Sequence, residues 1–383
     1  MNSDSPRSRT PTPLRDVLLR AVRFLHRHTT WLNGLKRSLG LERLAVSMVT
    51  PQPGSAELAE IARTANTTFV RDQIEKFRAR GIENPDVYIL AAEAMGDVLS
   101  CEPVGRAVRQ LAPRCRIHWI VRDAFREIIA AAPFIDEVIS VGTLSEGYDI
   151  FLEKTRNGAA VAVNCHMDGV ACTKTGRVIR NPCNPRVNFF TYYNLGTLLN
   201  AFSRCAGLPM LEEASVFHFA QGVASPVPSD GPYVVFHCRS TDPKRDWTDE
   251  KWNRLAELVL GKGLGVIEIG MPRTIRSNSP RYIDFTGRRS LQQVARVIQG
   301  ARLFVGVDSG FAHVACALRT PGTILLGRYA HYDTYMPYSG DFAHGDAFRI
   351  LRAPGHAPAA ELPLEDVAAV VMHLTGGPET ARA

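Results

Sequence analysis

Several absences narrow the chemistry open to this chain. No apolar run approaches the roughly 18 to 20 residues that a membrane-crossing helix requires, and arginines interrupt the first thirty residues too often for a secretory signal. The eight cysteines, at 101, 115, 165, 172, 183, 205, 238 and 316, include no C-x-x-C pair. Zinc sites and disulfide frameworks therefore lack their spacing, and the thiols are expected to be reduced, mostly buried apolar residues. There is no Asp-x-Asp pair and no His/carboxylate cluster at ligand spacing, so neither a metal nor a cofactor is expected. No repeat of 20 to 50 residues, no low-complexity block in the body and no nucleic-acid motif is found, and nucleic acid is not an expected partner.

What remains is ordinary globular material: 383 residues, 45% hydrophobic and 22% charged, enough for two cores. Charge is concentrated at one end. Between Leu14 and Leu44 seven basic residues face only Asp16 and Glu42, which leaves five of the chain's seven net positive charges in that stretch. Leu14, Val17, Leu18, Ala21, Val22 and Leu25 fall on one helical face with arginines opposite. A basic amphipathic helix of this kind suits either an anionic membrane surface or packing on protein. Residues 1–13, rich in Ser, Thr, Pro and Arg, read as a disordered tail, and residues 14–85 as a helical basic extension in which Ser55 caps a helix running to about Arg80.

From Asp86 onward strand and helix alternate, which predicts parallel sheets flanked by helices. Strands are expected at Val87–Ala91, Ile117–Val121, Glu137–Val141 and Ala159–Cys165, with helices at Val98–Leu111, Asp123–Ala131 and Phe189–Ala206 and a loop over Cys172–Arg186. The Pro/Gly-rich stretch Gln221–Pro232 separates an N-terminal domain, 86–225, from a C-terminal one, 232–350, followed by a tail and helix over 351–383. In the second domain the strand Leu303–Val307 runs into Asp308-Ser309-Gly310, where a helix begins with His313 one turn inside it. Helix N-termini carry unpaired N–H groups and a partial positive charge, so this turn reads as a diphosphate cradle.

Three groups of residues carry a resemblance. They are Phe285-Thr286-Gly287 with Ser290-Leu291, V-G-V-D-S-G-F-A-H-V-A-C-A-L, Pro321 and Leu326-Gly327; Met95-Gly96-Asp97-Val98 after the strand Val87–Ala91, with Pro103 and P-R-C-R-I-H-W-I-V; and Lys244-Arg245-Asp246-Trp247-Thr248 ahead of Trp252. In order and spacing over about 86–338, the chain resembles glycosyltransferase family 9, the lipopolysaccharide heptosyltransferases of two-domain GT-B architecture.

That resemblance implies an α/β fold of two Rossmann-like domains and an inverting, metal-independent transfer of heptose or a similar sugar. The partners it implies are a nucleotide-diphosphate sugar donor and a lipopolysaccharide or related glycan acceptor. Asp97 occupies the position of the family's general base, supported by Gly96. Ser309, Gly310, His313, Lys244, Arg245, Ser240 and Thr241 are candidates to hold the diphosphate, with Asp308 fixing the loop. Glu93, Lys174, Arg177 and Arg180 are weaker candidates for the acceptor. The family aligns one lysine two residues before the tryptophan, where this chain has Arg245, so the choice between Lys244 and Arg245 stays open. Where the family carries an acidic residue for the ribose, Gly270 is followed by Met271-Pro272-Arg273. A nucleotide-sugar epimerase of similar shape and a noncatalytic glycan-binding or membrane scaffold remain alternatives. The chain is expected in the cytoplasm, peripheral on the inner face of the bacterial inner membrane through residues 14–44.

Overall fold

The computed structural model describes residues 66–188, 191–192, 195–227, 231–287, 289–327, 336–344, 348–353 and 357–376. The tail over 1–13, the basic helix over 14–44 and the proposed cap at Ser55 lie outside the described residues. Among those described, the first element is α1, Phe69–Ala79, whose Val70, Ile74 and Phe77 are buried at helical spacing.

Two parallel sheets follow. The first contains β1 (Val87–Leu90), β2 (Ile117–Arg122), β3 (Glu137–Val141) and β4 (Val161–Asn164), in the order β3-β2-β1-β4. β1 is buried throughout and pairs on both sides, Val87 with Ile117 and with Val161. A strand covered on both faces needs a continuous apolar run rather than alternation, and V-Y-I-L supplies it. The second sheet contains β5 (Tyr233–His237), β6 (Gly265–Gly270), β7 (Tyr282–Thr286), β8 (Leu303–Val307), β9 (Gly322–Leu326) and β10 (Phe348–Arg352), in the order β10-β9-β8-β5-β6-β7. Here β5 is the strand flanked by both crossover directions, pairing with β6 and with β8. In open α/β sheets the crevice for ligands opens beyond the carboxyl ends of such strands. The loop after β1 and the loops after β5 and β8 therefore occupy equivalent positions in their two sheets.

Several elements differ from expectation. The single helix anticipated over Val98–Leu111 is two, α2 (Met95–Ser100) and α3 (Glu102–Leu111), with Cys101 between them and Pro103 in the first turn of the second. Asp123–Ala131 holds only a 3-10 turn and the short α4, Arg126–Ile129. A helix that periodicity did not announce, α5 (Leu144–Thr155), starts where the Thr143 side chain accepts the Glu146 N–H while the Glu146 carboxylate accepts the Gly142 N–H. The helix expected over Phe189–Ala206 is described only as α6, Leu198–Cys205, capped by Thr197 after Gly196 at φ +88. Strand β10 and its parallel pairing with β9 were not anticipated. The remaining helices are α7 (Asp249–Gly261), α8 (Leu291–Gly300), α9 (Gly310–Ala317), α10 (Asp341–His344) and α11 (Leu364–Gly376). All eight cysteines are free, and seven of them are buried.

Candidate active site

Asp97 is presented by the turn that leaves β1. Ala94, just before α2, sits at φ 58 and ψ 139, a region that a side chain strains by about 1–3 kcal/mol and that clusters at functional sites. This turn places Asp97 inside the first turn of α2 rather than at its cap, which is Ala94. Part of Asp97 reaches solvent, but the carboxyl is packed round by protein, and burial pushes its pKa up to about 7. The Glu93 carboxylate and, more weakly, Asp308 push in the same direction, while the Arg245 guanidinium opposes them. A carboxylate poised near neutrality is what proton abstraction from a hydroxyl requires.

The groups opposite come from the second sheet. Asp308 follows β8, is only 3% exposed, and accepts the Tyr338 hydroxyl at 2.7 Å and Arg245 Nη1 at 3.3 Å. Arg245 stands at the end of a 3-10 turn, Pro243–Arg245, and Nη2 also donates to Thr241 Oγ1 at 3.0 Å. Its neighbour Lys244 is exposed, with its backbone N–H on Asp242. The geometry thus separates the two cations: Arg245 bonds the Asp308 carboxylate and acts electrostatically on Asp97, while Lys244 is exposed. The Ser240 hydroxyl is occupied within its own turn, donating to the Asp242 carbonyl at 2.7 Å.

Ser309 is the N-cap residue of α9, but its side chain does not cap the helix. Its Oγ instead lies 2.9 Å from Nδ1 of His237, the last residue of β5. Burial pushes His237 down to about 4, so the ring is neutral at physiological pH. Close approach is secured by Gly270 at φ +94, where an added Cβ would lie 2.6 Å from the His237 ring. Nothing in the sequence marks His237, because a histidine ending an apolar strand has no pattern of its own.

Two of the diphosphate candidates, Gly310 and His313, lie against α2. At Gly310 the space a Cβ would take is filled by the Met95 side chain of α2. His313 was expected to face the diphosphate as a donor, but Nδ1 lies 3.1 Å from Ser100 Oγ, and its ring rests against Tyr338 and over Gly96, where a Cβ would meet it at 2.7 Å. Burial pushes His313 down to about 4, so it brings no positive charge. Gly96 and Gly310 are thus the matching surfaces that let α2 and α9 touch.

The acceptor candidates divide. Glu93 is joined to Arg122 Nη1 at 3.1 Å and to the Thr173 hydroxyl at 2.5 Å, and it lines a small cavity with Asp97 and the unanticipated His166. Lys174, Arg177 and Arg180 are exposed and held elsewhere: Lys174 on the Gly142 carbonyl at 2.9 Å, Arg177 on Asp149 at 2.6 Å, Arg180 on Asp168 at 2.9 Å. They do not gather beside Asp97 as an anion site. Glu268, the acidic residue nearest Gly270, is buried and accepts the Thr274 and Ile275 N–H groups and the Tyr282 hydroxyl, so it organises the loop after β6. Among the described residues no group of three or more His, Cys, Asp or Glu is placed to hold a metal ion, and no helix is long and apolar enough to cross a membrane.

Comparison with known proteins agrees with this layout. Residues 199–341 match the family model for glycosyltransferase family 9 (heptosyltransferase). The chain is 24% identical over 281 residues to lipopolysaccharide heptosyltransferase 1 of Escherichia coli, covering 63% of this chain and 87% of that protein. The Salmonella typhimurium protein of the same name is 25% identical over 282 residues, covering 63% and 88%. In fold, the chain is similar to the E. coli ADP-heptose lps heptosyltransferase II, with a TM-score of 0.55 and 16% identity over 76% of this chain and 98% of that one. An E. coli heptosyltransferase solved with ADP gives 0.52 and 20%, covering 76% and 99%. Family model, relatives and paired parallel sheets point the same way: residues 199–341 match glycosyltransferase family 9, and the fold is that of the GT-B heptosyltransferases to which the chain is similar.

Proposed function

We propose that this enzyme transfers heptose or a similar sugar from a nucleotide-diphosphate donor to lipopolysaccharide or a related bacterial surface glycan, with inversion and without a metal ion. The observation that carries the reading is the Asp97 carboxyl, raised to about 7, facing Arg245 and Asp308 from the other sheet. The names of the relatives, lipopolysaccharide heptosyltransferases, support the substrate pair. Asp97 removes the proton from the acceptor hydroxyl as its oxygen attacks the anomeric carbon. The bond from that carbon to the diphosphate breaks, and its electron pair leaves on the diphosphate oxygen. One displacement from the opposite face inverts the anomeric configuration. Arg245, the backbone at the start of α9 and the Ser309 hydroxyl meet the growing negative charge. Reaction from the cytoplasmic side, with residues 14–44 against anionic lipid, completes the proposal.

The test uses ADP-heptose as donor and lipopolysaccharide from a heptose-deficient strain as acceptor, with transfer followed by mass spectrometry. Transfer that is lost in Asp97→Asn while ADP binding persists, and that survives a chelator, agrees with the reading. Transfer by Asp97→Asn at the wild-type rate contradicts it.

A further inference from the structure

The steps of sugar transfer make no use of His237, a histidine only 5% exposed that bonds the turn after β8. It ends β5, where its backbone partners are Ile269 of β6 and Gly306 of β8. Three neighbours confine it. A Cβ on Gly270 would lie 2.6 Å from the ring, one on Gly306 would lie 3.3 Å from the histidine Cβ, and the Phe311 ring of α9 packs edge-on at 4.9 Å. The imidazole therefore has little room to turn. Among the described residues its one hydrogen-bond partner is the Ser309 hydroxyl, 2.9 Å from Nδ1, and that hydroxyl has no other. The hydroxyl has a single proton to give. With the ring proton on Nε2, Nδ1 takes the Ser309 O–H and only lone pairs are left for a ligand; with the ring proton on Nδ1, the O–H is free to donate outward.

We propose that His237 is a positioning residue of the donor site: its Nδ1–H donates to the Ser309 oxygen, so that the Ser309 O–H is aimed at the donor diphosphate. The inference rests on the glycosyltransferase reading for the identity of the anion. It deepens that reading by assigning how the hydroxyl is held. Phosphate oxygens only accept, so a diphosphate beside Ser309 stabilises the tautomer with its proton on Nδ1. Other donors point the same way: the Ala312 and His313 N–H groups are taken by the Ser309 carbonyl, whereas those of Gly310 and Phe311 donate to no described residue. Burial pushes the His237 pKa down to about 4, so at working pH the ring supplies direction and not charge. A donor aimed before the ligand arrives needs no reorientation as charge builds on the leaving oxygen.

The experiment measures ADP affinity by calorimetry, and kcat/KM for ADP-heptose, with the full-length protein. His237→Leu and His237→Asn are close in shape, but only asparagine keeps a side-chain N–H near the place of Nδ1–H. His237→Leu is expected to lower both ADP affinity and kcat/KM about tenfold or more, and His237→Asn to stay within about threefold of wild type. The two variants are expected to unfold at the same temperature, so a loss confined to leucine reports the hydrogen bond and not packing. Ser309→Ala completes a cycle. Because His237 acts through the hydroxyl, His237→Leu is expected to cost less than about twofold once Ser309 is alanine. Equal losses from His237→Leu in the two backgrounds, equal losses in His237→Leu and His237→Asn, or wild-type affinity and rate in His237→Leu would each overturn the inference. Should wild type bind ADP but transfer nothing, the proposed function fails alone, and the cycle is decided on ADP affinity. A wild type that binds none of ADP, UDP, GDP and CDP in a thermal-shift panel would overturn both.

Discussion

The turn after β1 and the turn after β8 occupy the same place in two parallel sheets, yet they carry opposite chemistry. The first holds a strained Ala94 and two carboxylates, Glu93 and Asp97, with the Asp97 pKa pushed up to about 7. The second holds a carboxylate already compensated: Asp308 takes a hydroxyl from Tyr338 and a guanidinium from Arg245. The two histidines beside it, His237 at the end of β5 and His313 in α9, are both pushed down to about 4 and so add no charge. A common crevice geometry therefore fixes where a site forms, and the pairing of each carboxylate decides what it does. The unpaired one is left basic; the paired one is a scaffold that aims Arg245.

The most direct way to break this contrast is to neutralise one carboxylate at a time. Asp97→Asn is expected to lower kcat by 10² to 10⁴, the usual worth of a positioned base, with ADP affinity retained. The same change is expected to stabilise the fold at neutral pH and above, by on the order of 2 kcal/mol in denaturant unfolding. The sign follows from linkage. A folded pKa near 7 against 3.8 unfolded means that the group's contribution is fully present below about pH 4 and is lost as pH rises through about 7. Asn does not suffer that loss. Asp308→Asn is expected to destabilise instead, because it removes the charge that balances the half-buried Arg245.

Next in size is the division between the neighbouring cations. Arg245→Ala is expected to cost about 2.7 to 4 kcal/mol in kcat/KM, the range for one aimed donor to a developing anion. Lys244→Ala, at an exposed position, is expected to change it less than threefold, and steady-state kinetics with ADP-heptose separates the two. Smaller still is the effect of the contact between the turns. Gly310→Ala adds a methyl where Met95 lies and is expected to cost roughly 1–3 kcal/mol of stability, in the range of overpacking. Met95→Ala in the same chain is expected to recover part of it, as a thermal unfolding series would show.

Much of this layout is legible in the sequence, for reasons that also explain what is not. The strands V-Y-I-L and L-F-V-G-V announce themselves because a doubly covered strand must be continuously apolar. Asp97 and the D-S-G turn stand at strand ends, where function concentrates, and their spacing is local. Helix α5 was also legible, since Thr143-Leu144-Ser145-Glu146 is a capping box, but weak periodicity beyond it concealed the signal. His166, His237 and Met95 gained their significance only from tertiary contacts, with Ala92, Ser309 and Gly310. No spacing rule predicts that a glycine suited to a phosphate will accept a methionine from the other sheet. The contact that sets Arg245 apart from Lys244 likewise depends on Asp308, sixty-three residues away in the chain.

The central claim is that Asp97 acts as a base whose affinity for protons is set by burial and by Glu93. The pH dependence of kcat/KM for acceptor, measured from pH 5 to 9 with ADP-heptose saturating, tests it most directly. Activity is expected to rise with pH through an acid limb centred near 7, as the carboxylate ionises, and the limb is expected to move to lower pH in Glu93→Gln, which removes a charge that opposes ionisation. A profile flat between pH 5 and 8, or one whose limb stays in place when Glu93 is neutralised, would contradict the account.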